Sequence, residues 1–394
     1  MSRLSGPQAT VNLSAIRHNY QLLLCRARQQ DPSARLWCVV KANAYGHGLP
    51  QTVAALCRAG ASRFATADLA EAEEVRKAAP DAQVLILGPT PASEVGRLWS
   101  GGFCQSVHTR AYAEELAAAA EAFFVAQNIW QTDDLPSDKV KNRGGFLQIA
   151  LKLDCGIGRL GFSVTGTEAL LPLCGLCFDA LHFTEIYAHF SAADDLASPE
   201  TEGQLSVFRT AVRRLRQAEA FRRAETHICA SAGLMRFGTA ECEAARCGLA
   251  LYGYSPSPAL AMAGLAPALT LHAPLLQVRR VGRGTPVGYG GRWRAPRATN
   301  VGILPLGYAD GLLRACSGGQ VLFFGHRVPL VGAVSMDLCA VDLGDLPASV
   351  GDTVTLIDPR GKLLPAMAAH AQTIPYELLS LLGPRIPRRY KNQS

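Results

Sequence analysis

Lys41 lies where a side chain could carry out covalent chemistry. It follows the apolar run at residues 36–40 and precedes two glycines, Gly46 and Gly48, in the segment VVKANAYGHG. The apolar run predicts a buried strand, so Lys41 would lie at the carboxyl end of that strand, where α/β barrels carry their reacting groups. An amine in a partly apolar site loses some of its preference for the charged form and can then attack an aldehyde carbon. The alternative is a strand-end lysine that points into water, which is the commoner case for lysine.

The Lys41 segment belongs to a pattern that runs along nearly the whole chain. The pattern starts with VNLSAI at residues 11–16 and ends with RIPRRY at residues 385–390. Taken together, these segments resemble the alanine racemase family, whose members are barrel-type enzymes that use pyridoxal 5'-phosphate. The resemblance implies a fold of the α/β class, with an N-terminal (β/α)8 TIM-like barrel followed by a C-terminal mainly β domain. It also implies the interconversion of L-alanine and D-alanine.

The resemblance assigns two catalytic residues, Lys41 and Tyr289. The Cα–H of an amino acid is a very weak acid, so racemisation needs an electron sink for the carbanion and a proton donor on the opposite face. Pyridoxal phosphate supplies the sink. Lys41 matches the lysine that holds this cofactor at rest, and Tyr289, in the segment PVGYGG, matches the second base. By residue type alone, a tyrosine in a glycine loop is more commonly a packing residue.

His189 and Arg246 are the polar partners that the resemblance puts beside Tyr289. A phenol with an ordinary pKa near 10 needs a cationic neighbour or a hydrogen-bond partner to act as a base near neutral pH. His189, in YAHF, would link Tyr289 to Arg246, which matches the arginine that contacts the ring nitrogen of the cofactor. A guanidinium keeps its proton, so the ring nitrogen stays unprotonated and the ring is a weaker electron sink. Taken singly, His189 would more often be a core histidine and Arg246 a surface ion-pair partner.

The phosphate of the cofactor needs hydroxyl and amide donors. By resemblance, the donors are Tyr45, Ser231, Tyr376 and the backbone amides of Gly248 and Leu249. The ordinary alternatives are capping or packing for the side chains and a turn for Gly248. The chain departs from the family at Ala230, which replaces an asparagine, and at Cys247, which replaces a proline. Loss of the asparagine amide would weaken cofactor retention or be compensated by water.

The segment KLDCGIGRLG at residues 152–161 resembles another block of the family. Arg159 would contact the phenolic oxygen of the cofactor and the carboxylate of the substrate, since its rigid fork of donors suits both. Lys152 matches a lysine that many members carbamylate, which turns the amine into an anion that orients this arginine. Cys155 and Ile157 replace the usual threonine and methionine and change shape more than charge. The block is therefore compatible with carbamylation of Lys152.

Three residues of the β domain would bind or admit the substrate. Met336, in VSMD, matches the residue whose backbone amide receives the substrate carboxylate, and Asp337 would shape that loop. Tyr308, in GYADG, matches a tyrosine at a narrow entrance that favours alanine-sized substrates, although a packed strand aromatic is the ordinary alternative. In the family, Tyr289, Met336 and Asp337 come from the second subunit. The resemblance thereby implies a head-to-tail homodimer with active sites at the interface.

The elements that would position these residues follow from hydrophobic periodicity. From residue 11 to about residue 255, short apolar runs alternate with longer amphipathic segments, which is the rhythm of βα units around a parallel sheet. Periodicity alone does not count eight units, and the resemblance supplies that number. Short alternating strands punctuated by glycine predict a β-rich domain at residues 256–394, with which residues 1–10 would pack. Residues 122–145 are interpreted as an inserted surface loop without a catalytic role.

Composition limits the partners that the protein could have. A chain of 394 residues with 48% hydrophobic residues is long enough for two domains with separate cores. The net charge is +7, but the basic residues are dispersed. The densest cluster, at Arg385, Arg388, Arg389 and Lys391, is interpreted as a solvated tail. No aromatic platform or binding motif accompanies it, so no nucleic-acid partner is expected.

Cysteine usage and hydropathy indicate a compartment. The 12 cysteines are scattered and several lie in apolar runs, so reduced core thiols are expected instead of disulfides. Cys174 and Cys177 form a CxxC pair, but no second pair or nearby histidines complete a zinc set, so no metal is expected. The first 20 residues lack the charge and apolar pattern of a signal peptide, and no apolar stretch approaches the roughly 18 residues of a membrane span. These patterns predict a cytoplasmic protein without a membrane partner.

Other functions fit parts of the same pattern. A broad-specificity or serine racemase of the same class would differ in the width of its pocket. An amino-acid decarboxylase with the same two domains would rely on a cysteine in the β-domain loop and would lack the tyrosine of PVGYGG. A non-catalytic cofactor carrier would end after the barrel, whereas this chain continues through Tyr289 and Met336. The same residues suit an enzyme that supplies D-alanine for peptidoglycan and one that catabolises it.

Overall fold

A barrel forms the first part of the fold. The computed structural model describes residues 6–129, 145–164 and 179–392. The first strand, β1 (Gln8–Asn12), belongs to a second sheet. The strands of the barrel sheet are β2 (Arg35–Val39), β3 (Arg63–Thr66), β4 (Gln83–Ile86), β5 (Cys104–Val107), β6 (Leu147–Asp154), a short β7 (Phe162–Ser163) that pairs only with β6, β8 (Leu181–Tyr187), β9 (Glu225–His227) and β10 (Ala244–Cys247).

The barrel is nearly closed. Its strands follow the order β10-β2-β3-β4-β5-β6-β8-β9, and all neighbouring pairs are parallel. The two ends of the sheet approach each other where the backbone N–H of Arg246, in β10, donates a hydrogen bond of 2.8 Å to the carbonyl oxygen of Cys229, two residues after β9. The predicted TIM-like barrel is therefore confirmed. Its carboxyl-end edge carries the loops that follow each strand, which is the functional edge of such barrels.

Helices cover the outside of the barrel, and one short turn lies at its carboxyl edge. They are α1 (Leu13–Arg28), the turn α2 (Lys41–Tyr45), α3 (Leu49–Arg58), α4 (Leu69–Ala78), α5 (Val95–Gly101), α6 (Arg110–Ala126), α7 (Glu200–Leu215) and α8 (Ser231–Phe237). The start of α1 illustrates how the sequence specifies a helix. The side chain of Asn12 accepts hydrogen bonds from the N–H groups of Ser14 and Ala15, at 3.0 and 3.2 Å. Ile16 and Leu23, both fully buried, anchor the helix in the core.

The second domain is mainly β, as predicted. Its strands are β11 (Leu269–Pro274), β12 (Gln277–Val281), β13 (Pro286–Val287), β14 (Trp293–Arg294), β15 (Thr299–Leu304), β16 (Gln320–Phe323), β17 (His326–Val331), β18 (Cys339–Gly344), β19 (Thr353–Ile357) and β20 (Arg388–Lys391). Among the described residues, eight of these strands and β1 form one nine-stranded sheet in the order β12-β15-β18-β17-β16-β19-β11-β1-β20, and β13 pairs with β14 as a separate hairpin. Two helices, α9 (Leu363–His370) and α10 (Pro375–Ser380), accompany the sheet.

The first and last strands, β1 and β20, both lie in this second sheet. β1 pairs with β11 on one side and with β20 on the other, so residues 8–10 contact strands from the far end of the sequence. The basic C-terminal cluster is not a free tail, because Arg388, Arg389 and Lys391 belong to β20, although the side chains of Arg385, Arg389 and Lys391 are exposed as predicted. Arg388 is half-buried and donates hydrogen bonds to the carbonyl oxygens of Gly46 and Leu382, at 3.1 and 2.6 Å. Arg385 forms ion pairs with two aspartates of the β domain.

The segment at residues 122–145 is only partly described. Its first five residues belong to α6, because Phe124 continues the buried face that Leu116 and Ala120 begin at helical spacing. Residues 130–144 lie outside the described residues, and so do Cys174 and Cys177. In the described ranges, no helix is both long and apolar enough to cross a membrane.

Candidate active site

A cavity of about 870 Å³ opens at the carboxyl ends of the barrel strands. Its volume lies within the range of small-molecule sites. The residues that the sequence analysis had singled out and that line this cavity are Lys41, Tyr45, Lys152, Arg159, His189, Ser231, Arg246, Gly248, Leu249 and Tyr376. The first nine come from the barrel, while Tyr376 belongs to α10 of the second domain. The fold therefore gathers into one cavity residues that span most of the sequence.

Lys41 begins an unusual left-handed turn. Ala42, Asn43 and Ala44 all have φ between 53° and 54°, a conformation that residues with a side chain rarely adopt in succession. The carboxylate of Glu71 holds this turn, because it accepts hydrogen bonds from the N–H groups of Asn43 and Ala67, at 3.2 and 2.9 Å. Glu71 was missed by the sequence analysis. Its only local signal is the spacing from the helix-capping Asp68, which says nothing about proximity to Lys41.

Gly46 follows the Lys41 turn and packs against Leu379 of the second domain. A substitution at Gly46 therefore tests how tightly this turn is packed. A Cβ at Gly46 would lie 2.2 Å from the carbonyl oxygen of Leu379, and the residue has a φ of 76°. We expect Gly46→Ala to lower the free energy of unfolding by about 3 kcal/mol or more, since it combines a strained φ with a backbone clash. Gly60→Ala is the matched control, because Gly60 has a φ of 91° but open space around it. Gly60→Ala should lower the free energy of unfolding, measured by urea titration, by about 1 kcal/mol. Equal losses of this free energy in the two variants would contradict the clash at Gly46.

The environment of Lys41 favours a neutral amine. The side chain is open to solvent through the cavity, yet the walls of the cavity remove part of its hydration. This burial lowers the pKa of Lys41 below its ordinary value, and the nearby cations Arg159 and Arg246 lower it further. The carboxylate of Glu71 acts in the opposite direction. A larger fraction of the amine is thus available as a nucleophile or base near neutral pH.

Arg246 is buried beneath the cavity and is held by three groups. It donates from Nη2 to the carbonyl oxygen of Ala188 at 2.9 Å and to Nδ1 of His189 at 3.1 Å. Its Nη1 lies 2.5 Å from Nδ1 of His227. The predicted pair of His189 and Arg246 is therefore in direct contact, whereas His227 was missed by the sequence analysis. His227 ends the short strand β9, and its residue type alone gave no sign that it would face Arg246.

His189 is neutral in this setting. Burial lowers its pKa to about 3, and the positive charge of Arg246 contributes to this shift. A guanidinium can only donate, so Nδ1 of His189 accepts its hydrogen bond and the ring proton lies on Nε2. The Nε2–H group is then free to donate to a further partner.

The loop that carries Arg159 is organised by Asp154. The Asp154 carboxylate accepts hydrogen bonds from the backbone N–H groups of Gly156, Ile157, Gly158 and Arg159, at distances from 2.9 to 3.2 Å. Such an aspartate followed by glycines is a local turn signal that the sequence contains but that the analysis did not use. Below this loop, Lys152 is buried, and its ammonium lies 5.8 Å from the centre of the Tyr187 ring. Burial, reinforced by the cations Arg159 and Arg246, lowers the pKa of Lys152 to about 8.

Hydroxyl and amide groups meet at the opposite end of the cavity. The hydroxyl of Ser231 accepts a hydrogen bond of 3.2 Å from the N–H of Gly248. The rings of Tyr45 and Tyr376 lie with centroids 6.2 Å apart. A Cβ at Gly248 would approach the hydroxyl of Tyr45 to 2.5 Å, so only glycine fits beside this tyrosine. Ala230 provides no side-chain cap for α8.

The β-domain candidates do not reach the cavity of their own chain. Tyr289, Tyr308 and Met336 are 73%, 43% and 54% exposed, and none of them lines the cavity around Lys41. Asp337 is also absent from that lining. Tyr289 begins a short helical turn, Tyr289–Gly291, next to the β13–β14 hairpin. These side chains form an exposed surface on the second domain.

Asp337 belongs to a small ion-pair network. Arg385 donates from Nη2 to Asp337 at 2.8 Å and from Nε to Asp310 at 3.0 Å. Asp310 is buried and also accepts a hydrogen bond of 2.9 Å from the N–H of Gly307. Arg385 thereby connects the loop of Met336 to the turn that contains Tyr308. The sequence analysis had not linked Arg385 to either loop.

The fold and the cavity define an α/β-barrel protein with a lysine-bearing cationic site at its carboxyl edge and a β domain attached. Residues 11–256 match the family model "Alanine racemase, N-terminal domain", and residues 268–390 match "Alanine racemase, C-terminal domain". The chain belongs to the alanine racemase family.

Relatives and solved structures agree with this assignment. An alanine racemase of Stutzerimonas stutzeri is 40% identical over 392 residues, which cover 97% of this chain and 98% of that protein. A biosynthetic alanine racemase of Pseudomonas aeruginosa is 38% identical over 392 residues, which cover 98% of this chain and 99% of that protein. The crystal structure of the alanine racemase from Streptomyces lavendulae superimposes with a TM-score of 0.87 at 31% identity, covering 99% of this chain and 98% of that one.

Proposed function

We propose that this protein is a pyridoxal-phosphate-dependent alanine racemase that uses Lys41 and Tyr289 as its two bases. The observation that carries the proposal is the environment of Lys41, an amine of lowered pKa in a cavity that it shares with Arg159, Arg246 and His189. Membership of the alanine racemase family supports the same chemistry. The isomerase reaction follows from a base on each face of the substrate Cα.

The donor set of the cavity fits pyridoxal phosphate. Lys41 would hold its aldehyde carbon, Arg246 would face the ring nitrogen, and Arg159 would face the phenolic oxygen. The phosphate would be bound by the hydroxyl and amide groups of Tyr45, Ser231, Gly248, Leu249 and Tyr376. The close approach that only a glycine at position 248 permits supports a snug site for an anion. When bound, the cofactor supplies an electron sink for the pair left on Cα.

The residues of this chain would then move and hold protons. The lowered pKa of Lys41 keeps part of its amine neutral, so it can take a proton from Cα or return one. Neutral His189 can donate its Nε2–H to the phenolic oxygen of Tyr289, which favours the ionised phenol. Arg246 holds His189 in the required tautomer. Arg159 and the backbone amide of Met336 would orient the substrate carboxylate.

A second subunit would complete the site. Tyr289, Tyr308 and Met336 are exposed on the β domain of their own chain, and none of them lines the cavity around Lys41. A head-to-tail homodimer would bring these residues over the cavity of the partner subunit, with Tyr308 narrowing the entrance and Asp337 holding the Met336 loop. Exposed aromatic and methionine side chains are typical of protein interfaces. This arrangement supports a preference for alanine over larger amino acids.

Within this proposal, the enzyme works in the cytoplasm and either supplies D-alanine for peptidoglycan or catabolises it. The ten cysteines in the described ranges are all free thiols, which fits a reducing compartment. Among the described residues, no group of three or more His, Cys, Asp or Glu side chains could hold a metal ion.

Lys152 is proposed to accept a carbamate. Its lowered pKa of about 8 makes the amine neutral as pH rises through that value. The neutral nitrogen can attack the carbon of CO₂, form the N–C bond and release one proton, and the resulting anion would be stabilised by Arg159 and Arg246. We expect protein equilibrated with ¹³C-bicarbonate to gain a carbamate resonance that grows as pH rises towards 8 and levels off above that value. The variant Lys152→Arg should lack it, and a signal that persists in this variant would contradict the assignment.

The direct test of the proposed activity is a product assay. Purified protein is incubated with pyridoxal phosphate and L-alanine, and D-alanine is followed by chiral chromatography, with L-serine, L-lysine and L-arginine in parallel. We expect D-alanine to form strongly in preference to the other D-enantiomers. Comparable turnover of serine or lysine would identify a broad-specificity racemase, and CO₂ release without a D-product would identify a decarboxylase. Cofactor binding without any reaction would contradict the proposal.

A further inference from the structure

A buried histidine and a buried glutamate face each other beneath Arg246. His227 is completely buried at the end of β9, and Glu185, on the adjacent strand β8, is 5% exposed. Oε2 of Glu185 lies 3.5 Å from Nε2 of His227. Among the described residues, neither of these two atoms has a hydrogen-bond partner of its own. Because a buried polar atom without a partner is costly, this mutual approach requires an explanation.

The contact with Arg246 shows where His227 carries its proton. A guanidinium has only donors, and Nη1 of Arg246 lies 2.5 Å from Nδ1 of His227. Nδ1 must therefore accept, which puts the ring proton on Nε2, the atom that faces Glu185. If the proton lay on Nδ1 of His227 instead, this N–H group and an N–H group of Arg246 Nη1 would point at each other at a distance of 2.5 Å between the nitrogens.

We propose that Glu185 is a positioning residue that acts on Arg246 through His227. By accepting the Nε2–H of His227, Glu185 selects the tautomer whose Nδ1 holds Arg246. The orientation of the guanidinium then depends on Glu185 as well as on its contacts with Ala188 and His189. The role of Arg246 towards the cofactor rests on the proposed function, whereas the tautomer of His227 does not.

The role of Glu185 needs an acceptor oxygen but not a charge. Burial raises the pKa of Glu185 to about 8, and the cation of Arg63 opposes this rise. A protonated carboxyl group still offers one oxygen as an acceptor, so the His227 tautomer is retained on both sides of this pKa. An amide oxygen can do the same. A leucine cannot, and it would leave the Nε2–H of His227 buried without a partner.

The first test is the tautomer of His227 in the full-length protein without added cofactor. Histidine is labelled with ¹⁵N, and the His227 signals are assigned by their loss in His227→Gln. The proposal expects the proton on Nε2 in the parent protein and in Glu185→Gln, and a mixture of tautomers in Glu185→Leu. A proton on Nδ1 in the parent protein would overturn the proposal without any variant of Glu185. A single unchanged tautomer in Glu185→Leu would overturn it as well.

The second test separates positioning from general stability. Glu225 accepts two hydrogen bonds from Arg63, at 2.5 and 3.2 Å, and forms an ion pair with Arg35, so Glu225→Gln is a control for loss of an acidic side chain at the same end of the barrel. We expect Glu185→Leu to weaken binding of pyridoxal phosphate and to lower kcat roughly tenfold each, since a hydrogen bond to a charged group has about that effect. Glu185→Gln and Glu225→Gln should remain near the parent values.

The two tests also distinguish this proposal from the proposed racemase activity. If the parent protein makes no D-alanine, the ¹⁵N result still decides whether Glu185 fixes His227. If Glu225→Gln loses cofactor affinity as strongly as Glu185→Leu, the effect is one of stability and the positioning role is overturned. If Glu185→Leu does not fold, Glu185→Ala, which also lacks an acceptor oxygen, takes its place in both tests.

Discussion

Replacing Tyr289 with phenylalanine is expected to lower the rate of alanine racemisation by about 10³-fold, within the range for loss of a general acid–base group. The substitution removes only the phenolic oxygen, so the second face of Cα loses its proton donor while Lys41 remains. Tyr289 is largely exposed in its own chain, and the stability of the subunit should not change. Binding of pyridoxal phosphate, followed by its absorption, should also match the parent protein.

Solvent exchange sharpens this expectation. In ²H₂O the variant should still exchange the α-hydrogen of one enantiomer, the one whose Cα–H faces Lys41, while exchange of the other is lost. Tyr254→Phe is the matched control, because the hydroxyl of Tyr254 is buried and has no hydrogen-bond partner among the described residues. That control should keep both exchange rates. Equal exchange of both enantiomers by Tyr289→Phe would mean that another group is the second base.

Lys41→Ala is expected to have the largest effect, a loss of racemisation of about 10⁴-fold or more. Lys41 has two proposed roles, as the amine that holds the cofactor and as a base at Cα, and alanine removes both. The variant should also release pyridoxal phosphate during gel filtration, because the phosphate and ring contacts remain but the covalent attachment does not.

Borohydride trapping provides the measurement that identifies the lysine. Reduction of the parent protein with bound cofactor, followed by peptide mapping, should label the peptide that contains Lys41, and the label should be absent from Lys41→Ala. Lys152 is the internal comparison, since it lines the same cavity and its pKa is also lowered. A label on Lys152 in the parent protein would contradict the assignment of Lys41.

Much of the barrel site could be predicted because its residues lie in short motifs at strand ends. A lysine, an arginine or a histidine directly after an apolar run is placed at the carboxyl edge by the parallel barrel itself. Lys41 follows this rule, since it comes directly after the apolar run at residues 36–40, whereas Arg159 and Arg246 were assigned by their resemblance to family motifs. All three line the same cavity.

Other parts of the site could not be predicted because they depend on contacts between distant segments. Glu71 meets the Lys41 turn only after β3 and α4 have packed beside β2, and its local sequence marks it as no more than a helix-start residue. His227 and Glu185 lie on adjacent barrel strands, but their facing atoms depend on the register of β8 and β9. A one-residue shift of register would turn either side chain to the other face of the sheet.

The C-terminal cluster shows why charge alone misled the sequence analysis. Arginines at the end of a chain are usually solvated, and no neighbouring acid indicated otherwise. Arg385 instead pairs with Asp310 and Asp337, while Arg388 donates a hydrogen bond to the carbonyl oxygen of Gly46 in the barrel domain. These partners lie between 48 and 342 residues away in sequence, so only the folded chain reveals them.

Mixed dimers test the central claim most directly, which is that each active site combines Lys41 of one subunit with Tyr289 of the other. Lys41→Ala and Tyr289→Phe chains, each inactive alone, are unfolded, mixed in equal amounts and refolded together. Half of the dimers then carry one chain of each kind, and one of their two sites has both parent residues. We expect about a quarter of the parent racemase activity to return. A mixture that stays inactive, although mixed dimers are detected by native mass spectrometry, would contradict a site shared between subunits.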